Sequence, residues 1–331
     1  METVRVGVVG LGYLGRRHLE QWKNVPRARL TAVFDVDPRR VHEAAKEIQV
    51  FGATSYAELL SLCDAVDIVT PTSTHFTLAE QAIQNHKHVF LEKPVTETSD
   101  QARYLEKLAL EARVTVQAGH IERFNPAFRA ALPYIHQPMF IEVHRLAGFT
   151  PRGTDVPVVS DLMVHDIDLA LCIIGSNIRR IHAGGAAVVT PRIDICNARL
   201  EFENGATVNL TASRISAKSM RKMRIFQPGA YISIDFLNKE TEVIEISDVA
   251  DYPNPPDGLL IEPGEGLPAR LIRYQKLEVS ESNALQDELS AFVASVLDGR
   301  PPEVNLYDGR RALEVAENIL EKMHFSAHLK E

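Results

Sequence analysis

Short, almost continuously apolar segments recur through roughly the first 120 residues, separated by stretches in which apolar residues have helical spacing. Such segments are typical of parallel strands that helices cover on both faces. The predicted strands span residues 4–9, 30–34, 65–69, 88–91 and 114–118. Strands that alternate with helices in this way predict an α/β fold with a doubly wound parallel sheet.

Helix start signals lie between these strands. They comprise a proline at a first-turn position, a capping box, and polar residues that precede segments of helical spacing. The predicted starts are Pro38, Ser55 with Glu58, Thr74 before 76–84, and Ser99 or Asp100 before 102–111.

The pattern changes after about Gly119, where strands dominate and few helices intervene. An Asn204-Gly205 pair separates two of these strands and predicts a tight hairpin turn. Runs of neighbouring strands predict a C-terminal α+β domain with an open, mostly antiparallel sheet. The predicted strands are 140–145, 181–189, 193–202, 207–213, 223–227, 231–236, 242–246 and 274–279. The predicted helices are 125–132, 160–174, 283–297 and 309–324. Loops are predicted at 148–157 and 247–270.

The length of 331 residues suits two domains, which we place at residues 1–119 and 120–331. The apolar fraction of 45% is that of a globular chain rather than a disordered one. A net charge of −8 argues against nucleic acid as a partner, because duplexes favour a basic face. No segment approaches the about 20 apolar residues of a membrane span, and no signal-peptide pattern opens the chain, so we expect a soluble cytoplasmic protein.

Neither cysteines nor histidines show a metal-ligand pattern. Cys63, Cys172 and Cys196 are scattered, which also argues against a disulfide framework. The 12 histidines include no H-E-x-x-H spacing. We therefore expect no metal site.

The segment Gly10-Leu11-Gly12-Tyr13-Leu14-Gly15 has the G-x-G-x-x-G pattern between a predicted strand and a predicted helix. There the first glycine permits a tight turn, the second lets the backbone approach a pyrophosphate, and the third lets helix and strand pack closely. The free N–H groups of the helix N-terminus favour the same anion. Asp35 follows the second strand, where an acid binds the adenosine ribose and repels a 2′-phosphate. The sequence therefore predicts bound NAD, although Arg39 and Arg40 could weaken the preference over NADP, and a glycine turn with a solvated acid is the alternative.

Lys93 follows the predicted strand at 88–91, within Glu92-Lys93-Pro94. Ligands of open α/β sheets bind at the carboxyl ends of strands, so we expect Lys93 where nicotinamide and substrate meet. A lysine at a strand end is also typical of a solvated surface charge.

Asp161 and His165 are four residues apart and therefore share one face of a predicted helix, with Asp168 close to that face. A carboxylate beside an imidazole suits a general base, although it also occurs as a structural pair. Together with NAD, these groups predict oxidation of a secondary alcohol. His165 would take the hydroxyl proton, Asp161 would orient His165, and the Lys93 ammonium would stabilise the developing alkoxide. The sequence leaves open which of Lys93 and His165 takes the proton first.

The order of four motifs resembles the Gfo/Idh/MocA oxidoreductase family of glucose–fructose oxidoreductase and inositol dehydrogenase type. The motifs are the glycine segment, Thr70-Pro71-Thr72-Ser73-Thr74-His75, Glu92-Lys93-Pro94 and Asp161-x-x-x-His165-x-x-Asp168, and the helix start at 309–315 also fits. The resemblance covers essentially the whole chain. It implies an N-terminal Rossmann domain and a C-terminal domain that binds substrate and assembles homodimers or homotetramers through its open sheet.

This resemblance also assigns roles to individual residues. Lys93, Asp161 and His165 fall on the family's catalytic positions and are expected to contact the substrate. The loop after the predicted strand at 65–69 falls on the stretch that passes the cofactor, which implies cofactor contacts for Thr70, Pro71, Thr72 and His75. Glu92 and Lys93 are expected to contact the cofactor as well. The alternative is that this loop only leads into a helix.

Residues 119–127, Gly-His-Ile-Glu-Arg-Phe-Asn-Pro-Ala, resemble the subgroup that oxidises UDP-linked N-acetylated sugars, notably UDP-N-acetylglucosamine 3-dehydrogenases that act before an aminotransferase. This resemblance implies that Arg123 and Asn125 face the substrate, with an ion pair and a helix cap as the alternative. Arg152 is a further candidate for contact with an anion. A patch of five basic residues could meet a diphosphate or could be a solvated strand edge: Arg214, Lys218, Arg221, Lys222 and Arg224.

The leading hypothesis is NAD-dependent oxidation of a nucleotide-activated amino sugar, UDP-N-acetylglucosamine at C3, in lipid A or cell-surface polysaccharide biosynthesis with a sugar aminotransferase as functional partner. A second hypothesis keeps the mechanism and replaces the substrate with a free sugar or a polyol such as inositol. A third is a non-catalytic NAD-binding sensor. The Lys93, Asp161 and His165 set argues against the third, because a sensor needs no acid–base groups.

Overall fold

The computed structural model describes residues 3–150, 156–251 and 257–328, with side chains as far as Met323. Contacts between Cα atoms divide the chain into two compact units. The first combines Met1–Phe124 with Asn283–Val315, and the second combines Asn125–Ser282 with Ala316–Glu331. The predicted boundary after residue 119 lies close to the first of these divisions. The segment Asn283–Val315 groups with the N-terminal unit, whereas the sequence places it in the second domain.

The first unit is a parallel sheet whose strands alternate with helices. Its strands are β1 (Val4–Val9), β2 (Ala28–Phe34), β3 (Phe51–Gly52), β4 (Ala65–Ile68), β5 (His88–Glu92) and β6 (Val116–Gly119). Its helices include α1 (Tyr13–Trp22), α2 (Pro38–Ile48), α3 (Tyr56–Ser61), α4 (Thr72–Gln84) and α5 (Ser99–Ala112). The strands pair in parallel in the order β3-β2-β1-β4-β5-β6. The predicted doubly wound parallel sheet is confirmed.

The second unit is built on a nine-stranded sheet. Its strands are β7 (Phe140–Leu146), β8 (Ile178–Ala186), β9 (Ile195–Phe202), β10 (Thr207–Ser213), β11 (Met220–Gln227), β12 (Ala230–Asp235), β13 (Glu240–Asp248), β14 (Leu259–Ile261) and β15 (Arg270–Lys276). They lie in the order β14-β15-β13-β12-β11-β7-β10-β9-β8, and every pair is antiparallel except β7 with β10. Helix α6 (Pro126–Ala131) precedes β7, and a π-helical turn at Val159–Met163 leads into α7 (Val164–Ile174). The predicted mostly antiparallel sheet is confirmed.

The last two helices, α8 (Ala284–Asp298) and α9 (Leu306–His328), complete the chain. Leu289 and Phe292 of α8 lie in one buried cluster with Val6 and Val8 of β1 and Trp22 of α1. Helix α8 therefore covers one face of the parallel sheet, which explains why Asn283–Val315 belongs to the first unit. Helix α9 begins in the first unit, and the division of the chain at Val315 falls within it.

Some predicted boundaries differ from the structure. β3 and β14 are absent from the sequence prediction, because strands of two and three residues leave too little pattern. Helix α4 begins at Thr72, earlier than the predicted residue 76. Helix α5 is capped by Thr98 and Gln101 in a reciprocal capping box, so that Ser99 and Asp100 belong to its first turn.

The hairpin predicted at Asn204-Gly205 is confirmed, since β9 and β10 pair in antiparallel and Gly205 has φ of +89°. The strand predicted at 181–189 ends at Ala186, because the N–H groups of residues 188–190 donate to Asp194 instead. The predicted loops at 148–157 and 247–270 lie partly outside the described residues. Within the described part of the chain, no helix is both long enough and apolar enough to cross a membrane.

Candidate active site

The three glycines of the segment between β1 and α1 differ in what a side chain would meet at each position. Gly10 has φ of +94°, which L side chains rarely adopt, and a Cβ there would lie 2.6 Å from the carbonyl oxygen of Val69. A Cβ on Gly15 would overlap the carbonyl oxygen of Gly10. A Cβ on Gly12, by contrast, would meet no atom within 4 Å. The space beside Gly12, at the N-terminus of α1, therefore fits a pyrophosphate bound by backbone N–H groups.

Asp35 lies at the end of β2 and is buried. Its Oδ2 accepts a hydrogen bond from the Leu11 N–H at 2.7 Å, and its Oδ1 accepts one from the Asp37 N–H at 2.9 Å. The carboxylate therefore fixes the glycine turn as well as occupying the position of a ribose-binding acid. Arg40 Nη1 lies 3.6 Å from Asp35 Oδ2, whereas Arg39 pairs with Asp37. Of the two arginines, only Arg40 lies beside this acid.

The loop after β4 carries the predicted cofactor residues Thr70, Pro71, Thr72 and His75. Pro71 is the N-cap of α4, and Thr72 is its first residue. His75 is buried, with Nε2 2.9 Å from the Thr70 carbonyl oxygen and Nδ1 2.8 Å from the Pro94 carbonyl oxygen. Burial lowers the pKa of His75, so its ring is mostly neutral near pH 7. The ring joins the loop after β4 to the loop after β5.

Lys93 follows β5 directly and is half-buried. Its N–H donates to Glu92 Oε2 at 3.1 Å, and the Lys93–Pro94 peptide bond is cis. Glu92 is buried, and a Cβ on Gly119 of β6 would lie 3.0 Å from its carboxyl carbon. The hydrogen bond to Glu92 therefore anchors the Lys93 N–H at the carboxyl end of β5, where the sequence predicts this residue.

A buried polar cluster beside Glu92 is absent from the sequence prediction. His18 of α1 lies between Asp67 of β4 and Glu92, with Nδ1 2.9 Å from Asp67 Oδ2 and Nε2 3.3 Å from Glu92 Oε1. The Trp22 indole N–H also donates to Asp67 Oδ2, at 2.7 Å. One sequence signal could have found this cluster, namely the single acid, Asp67, inside the apolar segment 65–69. A buried carboxylate requires hydrogen-bond or charge partners, so its presence there predicts a polar cluster.

In the second unit, Asp161 lies in the π-helical turn and His165 in the first turn of α7, and both are half-buried. The predicted helix at 160–174 is thus α-helical only from Val164, and π-helical turns are frequent at functional sites. Asp168 is fully buried. Asp166 forms a bidentate ion pair with Arg145 of β7, with distances of 2.8 and 2.7 Å. This pair joins α7 to the sheet.

The structure shows an ion pair at Arg123 and a helix cap at Asn125, the two structural roles given above as alternatives to substrate binding. Arg123 Nη1 lies 3.7 Å from Asp308 Oδ2. Asn125 caps α6 by accepting a hydrogen bond from the Ala127 N–H at 3.1 Å, and its amide donates to the Phe236 carbonyl oxygen at 3.2 Å. The helix cap is confirmed, and a role toward the substrate stays a prediction.

Three cations of the basic segment 214–224 contact protein groups. Arg214 is buried and donates to a backbone carbonyl oxygen at 2.6 Å. Lys222 and Arg224 lie 3.1 Å from the carboxylates of Asp235 and Glu142, respectively. These contacts favour a structural role for much of the segment over a diphosphate-binding surface.

The predicted cofactor residues gather at one edge of the parallel sheet, where β1, β2, β4 and β5 end. They are Gly10, Leu11, Gly12, Tyr13, Leu14, Gly15, Asp35, Thr70, Pro71, Thr72, His75, Glu92 and Lys93. Lys93 belongs to the first unit, whereas Asp161 and His165 belong to the second. Arg152 lies outside the described residues.

Two family profiles match the chain. The profile of an oxidoreductase family with an NAD-binding Rossmann fold matches residues 4–120, and that of the GFO/IDH/MocA C-terminal domain matches residues 147–230. The UDP-N-acetylglucosamine 3-dehydrogenase of Acidithiobacillus ferrooxidans is 36% identical over 96% of this chain and 97% of its own. The myo-inositol 2-dehydrogenase of Thermotoga maritima is 27% identical over 94% and 93%.

Solved structures agree with these matches. That of the Acidithiobacillus ferrooxidans UDP-N-acetylglucosamine 3-dehydrogenase has a TM-score of 0.87 at 33% identity, covering 98% of both chains. The scyllo-inositol dehydrogenase of Lactobacillus casei, solved with NAD(H) and scyllo-inositol, shares the fold, with a TM-score of 0.77 at 21% identity over 98% of both chains. The glycine turn and Asp35 thus lie in an NAD-binding Rossmann domain. The chain belongs to the Gfo/Idh/MocA family of oxidoreductases, and it is a dehydrogenase that acts on a CH–OH group.

Proposed function

We propose that this protein oxidises a secondary ring hydroxyl of a nucleotide-activated amino sugar, with UDP-N-acetylglucosamine as substrate and the 3-keto sugar as product. The observation that carries this proposal is the near-full-length similarity to a UDP-N-acetylglucosamine 3-dehydrogenase, at 36% identity. The segment 119–127, which resembles the same subgroup, also supports it.

In the proposed reaction, three side chains each have a separate role: proton acceptor, orienting group and charge stabiliser. The glycine turn and Asp35 would hold NAD, which would supply the acceptor for the hydride of the carbinol carbon. His165 accepts the hydroxyl proton as the C=O bond forms, and Asp161 orients the imidazole. The Lys93 ammonium stabilises negative charge on the substrate oxygen. The fixed backbone of Lys93 supports this role, because a group that stabilises charge must be in place before the charge develops.

The test follows NADH absorbance when purified protein is mixed with NAD and UDP-N-acetylglucosamine, with a 3-aminotransferase and its amino donor added to remove the keto product. We expect NADH to appear only with the sugar nucleotide, and to be lost in His165→Ala and Lys93→Met. His182→Ala is the matched control, because His182 is an exposed residue of β8 outside the proposed machinery.

A free polyol is the second candidate substrate, and the similarity to a myo-inositol 2-dehydrogenase favours it. NADH formation with myo-inositol but not with UDP-N-acetylglucosamine would overturn the nucleotide-sugar proposal. Activity that survives both Lys93→Met and His165→Ala would overturn the mechanism instead. The near-ultraviolet absorbance of the purified protein, checked before the assay, detects NADH that stays bound.

We further propose that the protein works in the cytoplasm next to a sugar aminotransferase, as a homodimer or homotetramer assembled through the nine-stranded sheet. An aromatic group on this sheet supports the assembly, since Phe226 lies 5.9 Å from Phe140 and 5.0 Å from Tyr231 between ring centroids, and Phe226 is 40% exposed. Light scattering coupled to size exclusion tests it. Phe226→Asp is expected to yield monomers, whereas Leu110→Asp, at an exposed position of α5, is not.

A further inference from the structure

The buried cluster of His18, Asp67 and Glu92 contacts the backbone N–H of Lys93 through Glu92. Strand β4 is buried along its whole length, and Asp67 is its one charged residue. Asp67 Oδ2 lies 2.9 Å from His18 Nδ1 and accepts a hydrogen bond from the Trp22 indole at 2.7 Å. A carboxylate in such surroundings is stable only when donors face it.

The second ring nitrogen extends the cluster toward the strand end. His18 Nε2 lies 3.3 Å from Glu92 Oε1, and Glu92 Oε2 accepts the Lys93 N–H at 3.1 Å. The His18 ring is fully buried, and the edge of Phe90 packs against it with centroids 5.9 Å apart. Asp67, His18, Glu92 and Lys93 thus form one continuous row of contacts.

The contacts of His18 indicate its charge. Nδ1 is hydrogen-bonded to Asp67, and Nε2 lies 3.3 Å from Glu92 Oε1 in an ion-pair contact without a hydrogen bond, so two carboxylates face one ring. Burial disfavours the charged ring, but Asp67 and Glu92 outweigh it and raise the pKa of His18 to about 10. The cationic ring of His18 therefore lies between the carboxylates of Asp67 and Glu92.

The ionised state of Glu92 depends on the His18 cation. Burial alone would raise the pKa of Glu92, but the adjacent His18 ring, together with the charge of Lys93, holds it below its usual range. His75 also faces Glu92 through an electrostatic interaction, but its ring is mostly neutral near pH 7. Without the imidazolium, a carboxyl group buried at this point would favour its protonated form.

We propose that His18 is a positioning residue for Lys93: its imidazolium keeps Glu92 ionised and oriented, and Glu92 in turn holds Lys93 at the carboxyl end of β5. This inference rests on the proposed role of Lys93 in the oxidation. The hydrogen bond from the Lys93 N–H to Glu92 holds the backbone from which the Lys93 side chain extends, and stabilisation of an alkoxide requires groups that are in place before charge develops.

The variant His18→Gln tests the proposal, because glutamine retains hydrogen-bonding groups but carries no charge. We expect kcat to fall by about tenfold or more, the equivalent of about one pKa unit, while KM for the sugar nucleotide changes less. The acid limb of the pH profile of kcat should move to higher pH, because Glu92 then protonates more readily. His88→Gln is the matched control, since His88 begins the same strand and its ring accepts a hydrogen bond from the Thr115 N–H.

A double-mutant cycle separates positioning from packing. In the Glu92→Gln background, removal of His18 should have little further effect on kcat, because the proposed route runs through the carboxylate. An unchanged pH profile in folded His18→Gln protein would overturn the proposal. An equal effect of His18→Gln with and without Glu92 would also overturn it, since His18 would then act by packing alone.

A readout independent of turnover keeps this inference separate from the proposed function. In protein labelled with 13C at glutamate side chains, the carboxyl signal of Glu92 is assigned by its loss in Glu92→Gln and titrated with pH. We expect its midpoint to rise in His18→Gln and to stay unchanged in His88→Gln. If wild-type protein oxidises no sugar, the proposed function fails, and the titration alone decides whether His18 controls Glu92. An unmoved midpoint would overturn the inference even in an active enzyme.

Discussion

The ion pair between Arg145 and Asp166 allows a quantitative test of what holds α7 against its sheet. Both side chains are 3% exposed, and two hydrogen bonds of 2.8 and 2.7 Å join them in bidentate geometry. The perturbation is Asp166→Asn, which preserves the shape of the side chain and removes its negative charge. We expect α7 to become less stable, because the Arg145 cation then loses the carboxylate that it faces.

The magnitude follows from burial. At a charge separation of about 4 Å and an effective dielectric constant of about 20, the attraction is about 4 kcal/mol. Removal of one partner from a buried ion pair costs about 3–5 kcal/mol, in agreement with that figure. The partly exposed pair Arg273 and Glu245 is a matched control, with a distance of 2.8 Å but 37% and 36% exposure. Glu245→Gln is expected to cost less than about 1 kcal/mol.

Amide hydrogen exchange of α7, followed by mass spectrometry, measures this cost locally. We expect exchange of α7 in Asp166→Asn to accelerate by about a hundredfold or more, since about 1.4 kcal/mol corresponds to a factor of ten. The protein has one tryptophan, Trp22, in the first unit, so its fluorescence in urea follows that unit separately. Equal effects of Asp166→Asn and Glu245→Gln on stability would refute the reasoning, because exposure would then make no difference.

Three further predictions concern the glycine turn, Asp35 and Asp194. Gly12→Ala is expected to leave the melting temperature unchanged and to weaken NADH binding in a fluorescence titration, whereas Gly15→Ala lowers the melting temperature because its Cβ overlaps the Gly10 carbonyl. Asp35→Asn keeps an acceptor for the glycine turn but loses its charge, so the ratio of NADPH to NADH affinity should rise by about tenfold. Burial opposes ionisation of Asp194, but three backbone N–H groups and a threonine hydroxyl lower its pKa. Its stabilising effect is therefore present above the unfolded pKa of about 3.9 and is lost as pH falls, and in Asp194→Asn the urea midpoint should be lower at pH 7 and change less on acidification.

The sequence was sufficient to predict the architecture wherever the signal was local. Five strands of the parallel sheet were visible because their apolar runs are bounded by helix caps and turn residues. The three glycines of the turn could be assigned separate roles for the same reason, since each role depends on its immediate neighbours. The two-residue strand β3 could not be found, because its pairing with β2 is set by the sheet rather than by its own residues.

Features that depend on long-range packing were not predictable in this way. Asp67 is conspicuous in an apolar strand, yet its partner His18 is 49 positions away and no spacing rule connects the two. Asp166 lies within the motif that the sequence emphasises, but its partner Arg145 comes from a different strand. The apolar face of α8 likewise does not identify its partner from sequence, and the structure groups this helix with the first unit.

Helix α8 is separated along the sequence from the rest of its unit by residues 125–282, and this order affects how the protein folds during synthesis. Leu289 and Phe292 pack in the same buried cluster as Val6 and Val8, so the core of the first unit joins residues from nearly opposite ends of the chain. A ribosome must therefore synthesise most of the protein before the cofactor-binding half can finish folding. Meanwhile, the nascent N-terminal strands expose an uncovered apolar face, which makes them a natural substrate for chaperones. A fragment cut after Phe124 would keep that face permanently, so we expect it to aggregate rather than to yield an isolated NAD-binding domain.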